Sequence, residues 1–539
     1  MSTTTPTAAL ATTALPPKRR SPLVIAFIGA GSVGFTRGLL KDLLGVPEFA
    51  ATQFRFHDIS EANLNMVATL CRKDIEANNL PATVISTTDR AVALHDADYI
   101  ITTFRVGGLD AFQGDIDIPL KYGIDQCVGD TICAGGIMYH QRNAPVFLSL
   151  CADIKRLAKP GAILLNYANP MAMNTWICNQ YGGVQTIGLC HGVQGAHWQI
   201  ANCIQRYAIE QGLLKEGESV HRREVNVIAA GLNHQTWFLT AEWHGIDFIP
   251  LLPELFAKHP EYSVSEKVRI DVLKRFGYYS TESNGHLSEY LAWYRKRPEE
   301  ITTWIDTSCW IHGETGGYLR VCTEGRNWFE HDFPTWLADK SPVFGQDNRG
   351  EEHGSYIIEG LETGRTYRGH FNVQNKDFIT NLPNGCVVEI PGYVDATGIH
   401  TPRVGDLPLG CAATCSSSVR VQQMSMEAAY RGDISLLRLA MLHDPLVGAV
   451  CSPEEVWQMA DEMLVAQAQW LPQYAAEIPK AKARLADHDR NGTRVKLSQT
   501  KGAARLHTKS VDEMSLEKEA TRKMAAASDK GNLTKATAH

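Results

Sequence analysis

Residues 24–34 have the sequence VIAFIGAGSVG, in which five apolar residues run directly into a glycine-rich turn. A helical pattern follows over residues 35–44, and a second apolar strand, residues 54–56, is followed by His57 and then Asp58. Helical stretches separate the further short apolar runs at 99–101, 163–165 and 186–189. Strands that alternate with helices in this way predict an α/β fold with a doubly wound parallel sheet.

The glycine-rich turn matches the pattern Gly-x-Gly-x-x-Gly and has an acidic residue 24 positions past its last glycine. Between a strand and a helix, this pattern is typical of the phosphate-binding turn of a Rossmann-type sheet. Gly29 permits the tight turn, Gly31 lets a pyrophosphate approach the backbone, and Gly34 lets the helix pack closely on the strand. Asp58 is placed to accept hydrogen bonds from ribose hydroxyls, which favours NAD over NADP. The predicted cofactor residues are Gly29, Gly31, Ser32, Gly34 and Asp58.

The composition is that of an ordinary globular protein. The 539 residues are 44% hydrophobic and 21% charged, with a net charge of −7, which gives no indication of a nucleic-acid partner. No apolar run reaches the roughly 18 residues that a membrane span needs. The 13 scattered cysteines, an odd number, do not form a disulfide framework. We therefore predict a cytoplasmic protein that binds neither nucleic acid nor a membrane.

Four segments differ in composition. Residues 1–21 are rich in Thr, Ala and Pro and predict a disordered leader, and residues 22–205 hold the predicted NAD-binding domain. The regular alternation fades after residue 205, so residues 206–486 are interpreted as an α+β domain for substrate, metal and oligomerisation. Residues 487–539 are polar and rich in Lys, Ala, Ser and Thr, which predicts a disordered tail. Within the α+β domain, predicted strands lie at 225–230 and 386–391 and predicted helices at 263–276, 284–296, 417–443 and 453–469.

Polar residues stand just past several of the predicted strands. In open parallel sheets, ligands bind beyond the carboxyl ends of the strands, so these residues are expected to line one crevice. They are Asp58, Arg105, Asn166, Asn169 with Pro170, and Cys190 with His191.

Residues at two of the strand ends are candidate ligands of one metal ion. Cys190-His191 is followed 43 residues later by Asn233-His234, again just past a predicted strand. Cysteine sulfur and histidine nitrogen are ligands for a divalent metal, which would keep open positions for substrate oxygens. The spacing alone leaves open a small buried cysteine and a hydrogen-bonded core histidine.

Seven segments carry a resemblance to a known family: FIGAGSVGF (27–35), GDTICAGGI (129–137), LLNYANPMAMNTW (164–176), IGLCHGVQG (187–195), AGLNHQTWF (230–238), FGYYSTESNGHLSEYLAWY (276–294) and NLPNGCVVEIPGYVDATGI (381–399). Through them the chain resembles glycoside hydrolase family 4, and within it the bacterial α-galactosidases, over roughly residues 23–475. The resemblance implies a fold related to lactate and malate dehydrogenases with an added substrate domain.

The resemblance also implies cofactors and roles. It implies NAD and a divalent cation, usually Mn²⁺, with Cys190 and His234 as metal ligands. Asn169 is expected to contact both the nicotinamide cofactor and the sugar beside it, and His191 to assist departure of the leaving group. The family's base is a tyrosine near residue 280, and the candidates in this chain are Tyr279, His286 and Tyr290. Family members are commonly dimers or tetramers, so a homodimer or homotetramer is expected.

The implied reaction is hydrolysis of α-galactosidic bonds without the usual carboxylate pair. NAD takes a hydride from C3 of the sugar, which acidifies the C2 proton. A base removes that proton, the metal stabilises the enediolate, and the C1 substituent leaves. Water then adds at C1 and the hydride returns to C3, so the net reaction is hydrolysis.

Two departures leave the sugar open. The family's α-galactosidases carry Cys-His-Ser-Val, whereas this chain has Cys-His-Gly-Val at 190–193, a form more usual in α-glucuronidases. Arg105 matches an arginine of the phospho-glycosidases and is a candidate partner for a carboxylate or a 6-phosphate. The alternatives are therefore an α-glucuronidase, α-galacturonidase or α-glucosidase of the same family. Outside the glycosidases, the rivals are a plain NAD-dependent dehydrogenase and a non-catalytic NAD-binding sensor.

Overall fold

The computed structural model describes residues 22–306, 309–326 and 328–495. The predicted leader and residues 496–539 of the predicted tail lie outside the described residues. The described residues form 13 strands: β1 Val24–Ile28, β2 Gln53–His57, β3 Thr83–Thr87, β4 Tyr99–Thr102, β5 Ile163–Asn166, β6 Thr186–Gly188, β7 Asn226–Leu232, β8 Gln235–Trp243, β9 Ile246–Asp247, β10 Tyr279–Ser280, β11 Tyr367–Gln374, β12 Val387–Asp395 and β13 Gly398–His400.

The same described residues form 20 α-helices. They are α1 Val33–Leu44, α2 Glu61–Ala77, α3 Arg90–Leu94, α4 Gly108–Lys121, α5 Cys133–Leu157, α6 Met171–Ile177, α7 Gly192–Glu210, α8 Leu252–Lys258, α9 Tyr262–Ser265, α10 Lys267–Phe276, α11 Asn284–Tyr290, α12 Pro298–Trp304, α13 Gly317–Arg326, α14 Trp328–Ala338, α15 His353–Thr363, α16 Leu409–Arg431, α17 Ile434–His443, α18 Pro445–Val450, α19 Pro453–Ala466 and α20 Ile478–Asn491. No helix in the described part of the chain combines the length and apolar character that crossing a bilayer requires.

The first six strands form the predicted parallel sheet. Their spatial order is β3-β2-β1-β4-β5-β6, and each neighbouring pair is parallel. This is the strand order of doubly wound dinucleotide-binding folds, in which ligands lie beyond the carboxyl ends of the strands. The predicted α/β fold class is therefore confirmed.

A second group of strands extends the same sheet in antiparallel fashion. β11 joins β6 where Asn372 pairs with Gly188, and the order continues through β12, β7, β8 and β10. α7 runs through the predicted domain boundary between residues 205 and 206. The two predicted domains thus share one sheet, and the strand ends of both halves converge near β6.

The parallel strands are buried on both faces, as their continuous apolar sequences require. In β1, Ala26 and Ile28 pack into one hydrophobic cluster, while Ile25 and Phe27 pack into another on the opposite face. All four residues are at most 4% exposed. This two-sided burial places β1 in the interior of the sheet, and with it the start of the turn that follows Ile28.

The structure corrects several predicted boundaries. The predicted helix 284–296 ends at Tyr290, and the predicted helix 263–276 is interrupted at Glu266. The predicted helix 417–443 is two helices, because Gly432 adopts a left-handed backbone conformation (φ +65°) that ends α16. Asp433 then caps α17 by accepting hydrogen bonds from the backbone N–H groups of Ser435 and Leu436. Residues 487–491, which were predicted to begin the disordered tail, form the last part of α20.

Candidate active site

The glycine-rich turn is closed by backbone hydrogen bonds at the end of β1. The N–H groups of Gly29 and Ala30 both donate to the carbonyl oxygen of His57, at 2.9 and 3.0 Å. Gly29 has φ +94°, and a Cβ on it would lie 2.8 Å from the backbone nitrogen of Phe104. Only glycine fits this position, so the predicted reason for Gly29 agrees with the structure.

Asp58 lies against the turn from the end of β2. Its Oδ2 accepts a hydrogen bond from Gly31 N at 2.8 Å, and its Oδ1 accepts one from Ser60 N at 2.8 Å. A Cβ on Gly31 would lie 2.8 Å from Asp58 Oδ2. Gly31 therefore makes room for the carboxylate as well as for a ligand, and the half-buried Asp58 stands where the sequence predicted it.

The start of α1 is open to an anion. Ser32 is the N-cap residue but makes no side-chain cap hydrogen bond, so the first amide groups of the helix remain available to phosphate oxygens. The predicted reason for Gly34 is wrong, because a Cβ on this exposed residue would meet no atom within 4 Å. Phe35, on the same helix, lines the adjoining cavity. The turn and the cavity are therefore neighbours.

That cavity, with a volume of about 420 Å³, contains five of the predicted residues. These are Asn169, Cys190, His191, His234 and His286. It also contains three acidic residues that the sequence did not single out, Asp130, Glu266 and Glu282. Asp130 and Glu282 lie inside two of the motifs quoted above. The chain has 59 acidic residues in all, and nothing in the sequence singles out these two.

The two predicted metal ligands are brought together. Donor atoms of Cys190, His234 and Glu282 all lie within 4.8 Å of one another. His234 has φ +65°, on the turn between β7 and β8 that points its ring into the cavity. Burial lowers the pKa of His234, but the negative charge of Glu282 and the contact with Cys190 outweigh it and hold the pKa well above its usual value. The same field favours a divalent cation, so the donor set fits a metal ion.

Thr131 orients His234. Its hydroxyl donates to Asp130 Oδ1 at 2.9 Å and therefore accepts from His234 Nδ1, 2.7 Å away. With Nδ1–H donating to Thr131, Nε2 is the ring nitrogen left to bind a metal, which would displace the proton that the raised pKa favours there. Asp130 Oδ2 also accepts a hydrogen bond from Asn169 Nδ2 at 2.7 Å, so Asn169 is connected through Asp130 and Thr131 to the candidate metal ligand His234.

His191 lies at the edge of the cavity. Its Nε2 is 2.9 Å from both carboxylate oxygens of Glu352, and its ring stacks near Tyr167. Burial lowers the pKa of His191, but the hydrogen bond and charge of Glu352 outweigh it and raise the pKa above its usual value. The half-exposed ring is thus held in a state able to donate a proton.

The three candidate bases occupy different places. His286 lines the cavity, with its ring centroid 4.5 Å from that of His234. Tyr290 is buried behind it, and its hydroxyl lies 2.7 Å from His286 Nδ1. Tyr279 does not line the cavity. Its side chain packs in a separate hydrophobic cluster, stacked on Phe256.

Arg105 does not line the cavity. Its guanidinium carbon lies 4.1 Å from the ring centroid of Phe112 and 4.2 Å from that of Tyr139. Tyr318, which does line the cavity, is the third ring, at 5.9 Å. Arg105 Nη1 is buried without a hydrogen-bond partner among the described residues. The structure therefore does not bring Arg105 into the cavity, where the sequence predicted a contact with substrate.

A larger cavity of about 600 Å³ lies elsewhere and contains none of the predicted site residues. Its wall carries Arg222, Arg223, Arg349, Arg365 and Arg368. Size alone is therefore no guide to the chemistry, which converges in the smaller cavity.

Comparisons with known proteins identify relatives over most of the chain. The description "Family 4 glycosyl hydrolase" matches residues 24–206, and "Family 4 glycosyl hydrolase C-terminal domain" matches residues 229–447. An α-galactosidase of Rhizobium meliloti (strain 1021) is 56% identical, covering 93% of this chain and 99% of that protein. An α-galactosidase of Bacillus subtilis (strain 168) is 30% identical, covering 84% of this chain and 99% of that protein.

A solved structure shares the fold. It is a 6-phospho-α-glucosidase from gut microorganisms in complex with NAD and glucose-6-phosphate, with a TM-score of 0.66 at 23% identity. The alignment covers 84% of this chain and 99% of that one.

Proposed function

The chain belongs to the family 4 glycosyl hydrolases, and from this premise we propose that it hydrolyses α-galactosides with NAD and a divalent cation as catalysts. The observation that carries the proposal is the convergence, in one cavity beside the dinucleotide turn, of Cys190, His234 and His286. A dehydrogenase of the lactate or malate type transfers hydride without a metal ion, whereas a reaction that passes through an enediolate uses one to stabilise the charge. The relatives named as α-galactosidases, at 56% and 30% identity, support the galactoside as substrate.

The residues present fit both cofactors. Gly29, Gly31, Ser32 and Asp58 would hold the dinucleotide, since the turn excludes side chains and leaves the first amides of α1 free. Cys190 and His234 would hold the cation. When bound, NAD would take a hydride from C3 of the sugar and return it, and Mn²⁺ would stabilise negative charge on the neighbouring oxygens.

The side chains of the cavity then have distinct tasks. His286, beside His234, would remove the proton at C2, and its Nδ1 contact with the Tyr290 hydroxyl holds the ring in place. His191 would donate a proton to the leaving group from the edge of the cavity, held there by Glu352. Asn169 would position the sugar, since its amide is fixed by Asp130.

The test is release of nitrophenol from nitrophenyl α-galactoside by protein stripped of NAD and metal. We expect activity only when NAD and Mn²⁺ are added together, with no net NADH. Full activity without either addition would contradict the mechanism, and NADH formed in proportion to product would indicate a dehydrogenase. Matched α-glucoside, α-glucuronide, α-galacturonide and 6-phosphate substrates identify the sugar, and a faster uronide would replace the galactoside in the proposal.

We further propose that the protein acts in the cytoplasm as a homodimer or homotetramer. All 13 cysteines are free, which supports a reducing compartment. The second part rests on the family, whose members are commonly dimers or tetramers. Sedimentation of the purified protein as a monomer at micromolar concentration would contradict the second part.

A further inference from the structure

Glu282 lies against both predicted metal ligands. Its Oε1 is 3.8 Å from His234 Nε2 and 3.9 Å from Cys190 Sγ. We propose that Glu282 is a third protein ligand of the divalent cation, and that Gly192 is the residue that makes room for it. This inference rests on the metal of the proposed function and adds to it a ligand and a steric requirement.

The distances suit a shared cation. Ligand atoms that each lie about 2.0–2.3 Å from one metal ion stand about 3–4 Å apart. The spacings from Glu282 Oε1 to the sulfur and the imidazole nitrogen fall in this range. A thiolate and a carboxylate together balance the charge of a divalent ion, and a hard oxygen ligand suits Mn²⁺ better than sulfur and nitrogen alone.

The neighbouring carboxylate is already engaged. Asp130 accepts hydrogen bonds on both oxygens, from Thr131 and Asn169. Glu282 Oε2 accepts a long hydrogen bond from Ser283 N at 3.4 Å, which leaves Oε1 directed at Cys190 and His234. Glu282 is therefore the carboxylate that has one oxygen facing both Cys190 and His234.

Gly192 is the first residue of α7, and its lack of a side chain is what matters there. A Cβ on residue 192 would lie 2.1 Å from Glu282 Oε1. Its φ lies outside the left-handed region, so the backbone does not require glycine. The Cys-His-Gly sequence at 190–192, which departs from Cys-His-Ser, thus has a steric consequence: only glycine leaves the carboxylate in place.

The test is a titration of metal-stripped protein with Mn²⁺ alone, without NAD or sugar. The electron paramagnetic resonance signal of the free ion measures how much Mn²⁺ remains unbound. Glu282→Gln removes the charge and keeps the shape, and Gly192→Ala displaces the carboxylate while keeping its charge. We expect each variant to weaken Mn²⁺ binding at least about tenfold. The matched control is Gly195→Ala, on the same helix and lining the same cavity, where a Cβ meets no atom within 4 Å. It should bind Mn²⁺ as the unaltered protein does.

The outcomes separate this inference from the proposed function. Wild-type Mn²⁺ affinity in a folded Glu282→Gln protein would overturn the third ligand and leave the metal site of Cys190 and His234 standing. Weakened binding in Glu282→Gln with unchanged binding in Gly192→Ala would overturn the role of Gly192. Failure of the unaltered protein to bind Mn²⁺ would contradict the proposed function itself. Circular dichroism establishes folding, and if Glu282→Gln is unfolded, Gly192→Ala alone decides the outcome.

Discussion

The cavity is bounded by two regions that are built in opposite ways. The dinucleotide turn and Asp58 come from one continuous stretch, residues 24–60, and depend on backbone N–H groups and on missing side chains. The candidate metal ligands Cys190, His234 and Glu282 come from three separate segments, and the site depends on their particular donor atoms. The first region is sensitive to an atom added at Gly29 or Gly31, whereas the second is sensitive to the loss of a donor atom. Substitutions in the two regions should therefore fail in different ways.

The largest effect is expected for Cys190→Ser, which replaces a thiolate by a neutral hydroxyl in the metal cluster. Loss of a metal that supplies several kcal/mol of charge stabilisation lowers kcat/KM by at least about 10³-fold, with a parallel loss of Mn²⁺ affinity. Cys322→Ser, at a half-buried cysteine outside the cluster, is the control and should retain activity. Unchanged metal-dependent turnover in Cys190→Ser would remove Cys190 from the ligand set.

His191→Gln tests the residue next to that ligand. Because general acid catalysis contributes about 10²–10⁴-fold, we expect turnover of an alkyl α-galactoside to fall about 100-fold. Nitrophenyl α-galactoside, whose leaving group needs little protonation, should be affected much less, and Mn²⁺ affinity not at all. Equal losses on both substrates would indicate that His191 only supports the fold of the cavity edge.

Thr131→Val tests whether the orientation of a metal ligand matters, since Thr131 contacts His234 and is not itself a ligand. Loss of a group that orients a metal ligand costs about 10–100-fold in metal affinity, and we expect Mn²⁺ binding to weaken by this factor. Thr131→Ser keeps the hydroxyl and should restore most of the affinity. Equal weakening in both variants would argue for packing rather than orientation.

The smallest effect is expected at the dinucleotide turn. Gly31→Ala places a Cβ 2.8 Å from Asp58 Oδ2, and we expect the Kd for NAD to rise about tenfold, or ~1.4 kcal/mol. Gly34→Ala, three residues on, meets no atom within 4 Å and should bind NAD normally. Mn²⁺ affinity should be unchanged in both. Fluorescence titration of NADH measures the binding, and a loss in Gly34→Ala equal to that in Gly31→Ala would contradict the structural account of the turn.

Prediction from the sequence succeeded where contacts are local. The turn after β1 and the strand before Asp58 were predicted in place, because a short, continuous apolar run bounded by turn residues is a local signal for a buried strand. The family was also predicted from short motifs and is confirmed. The split at Gly432 was missed, since a single glycine in a long helical pattern is also tolerated inside a helix.

The residues of the candidate site also divide into those that have a local signal in the sequence and those that have none. Sequence determined the Rossmann-type sheet and the glycine-rich turn, because both carry a local pattern, and it predicted Cys190 and His234 as metal ligands through short family motifs. Only the tertiary structure decided that Glu282 and Asp130 join them, that His286 rather than Tyr279 faces the cavity, and that Gly34 packs against nothing. The physical reason is that these side chains lie on distant segments, which meet only because β6 pairs with β11 and β7 pairs with β8. No local pattern of residues shows which donor atoms this pairing brings close together.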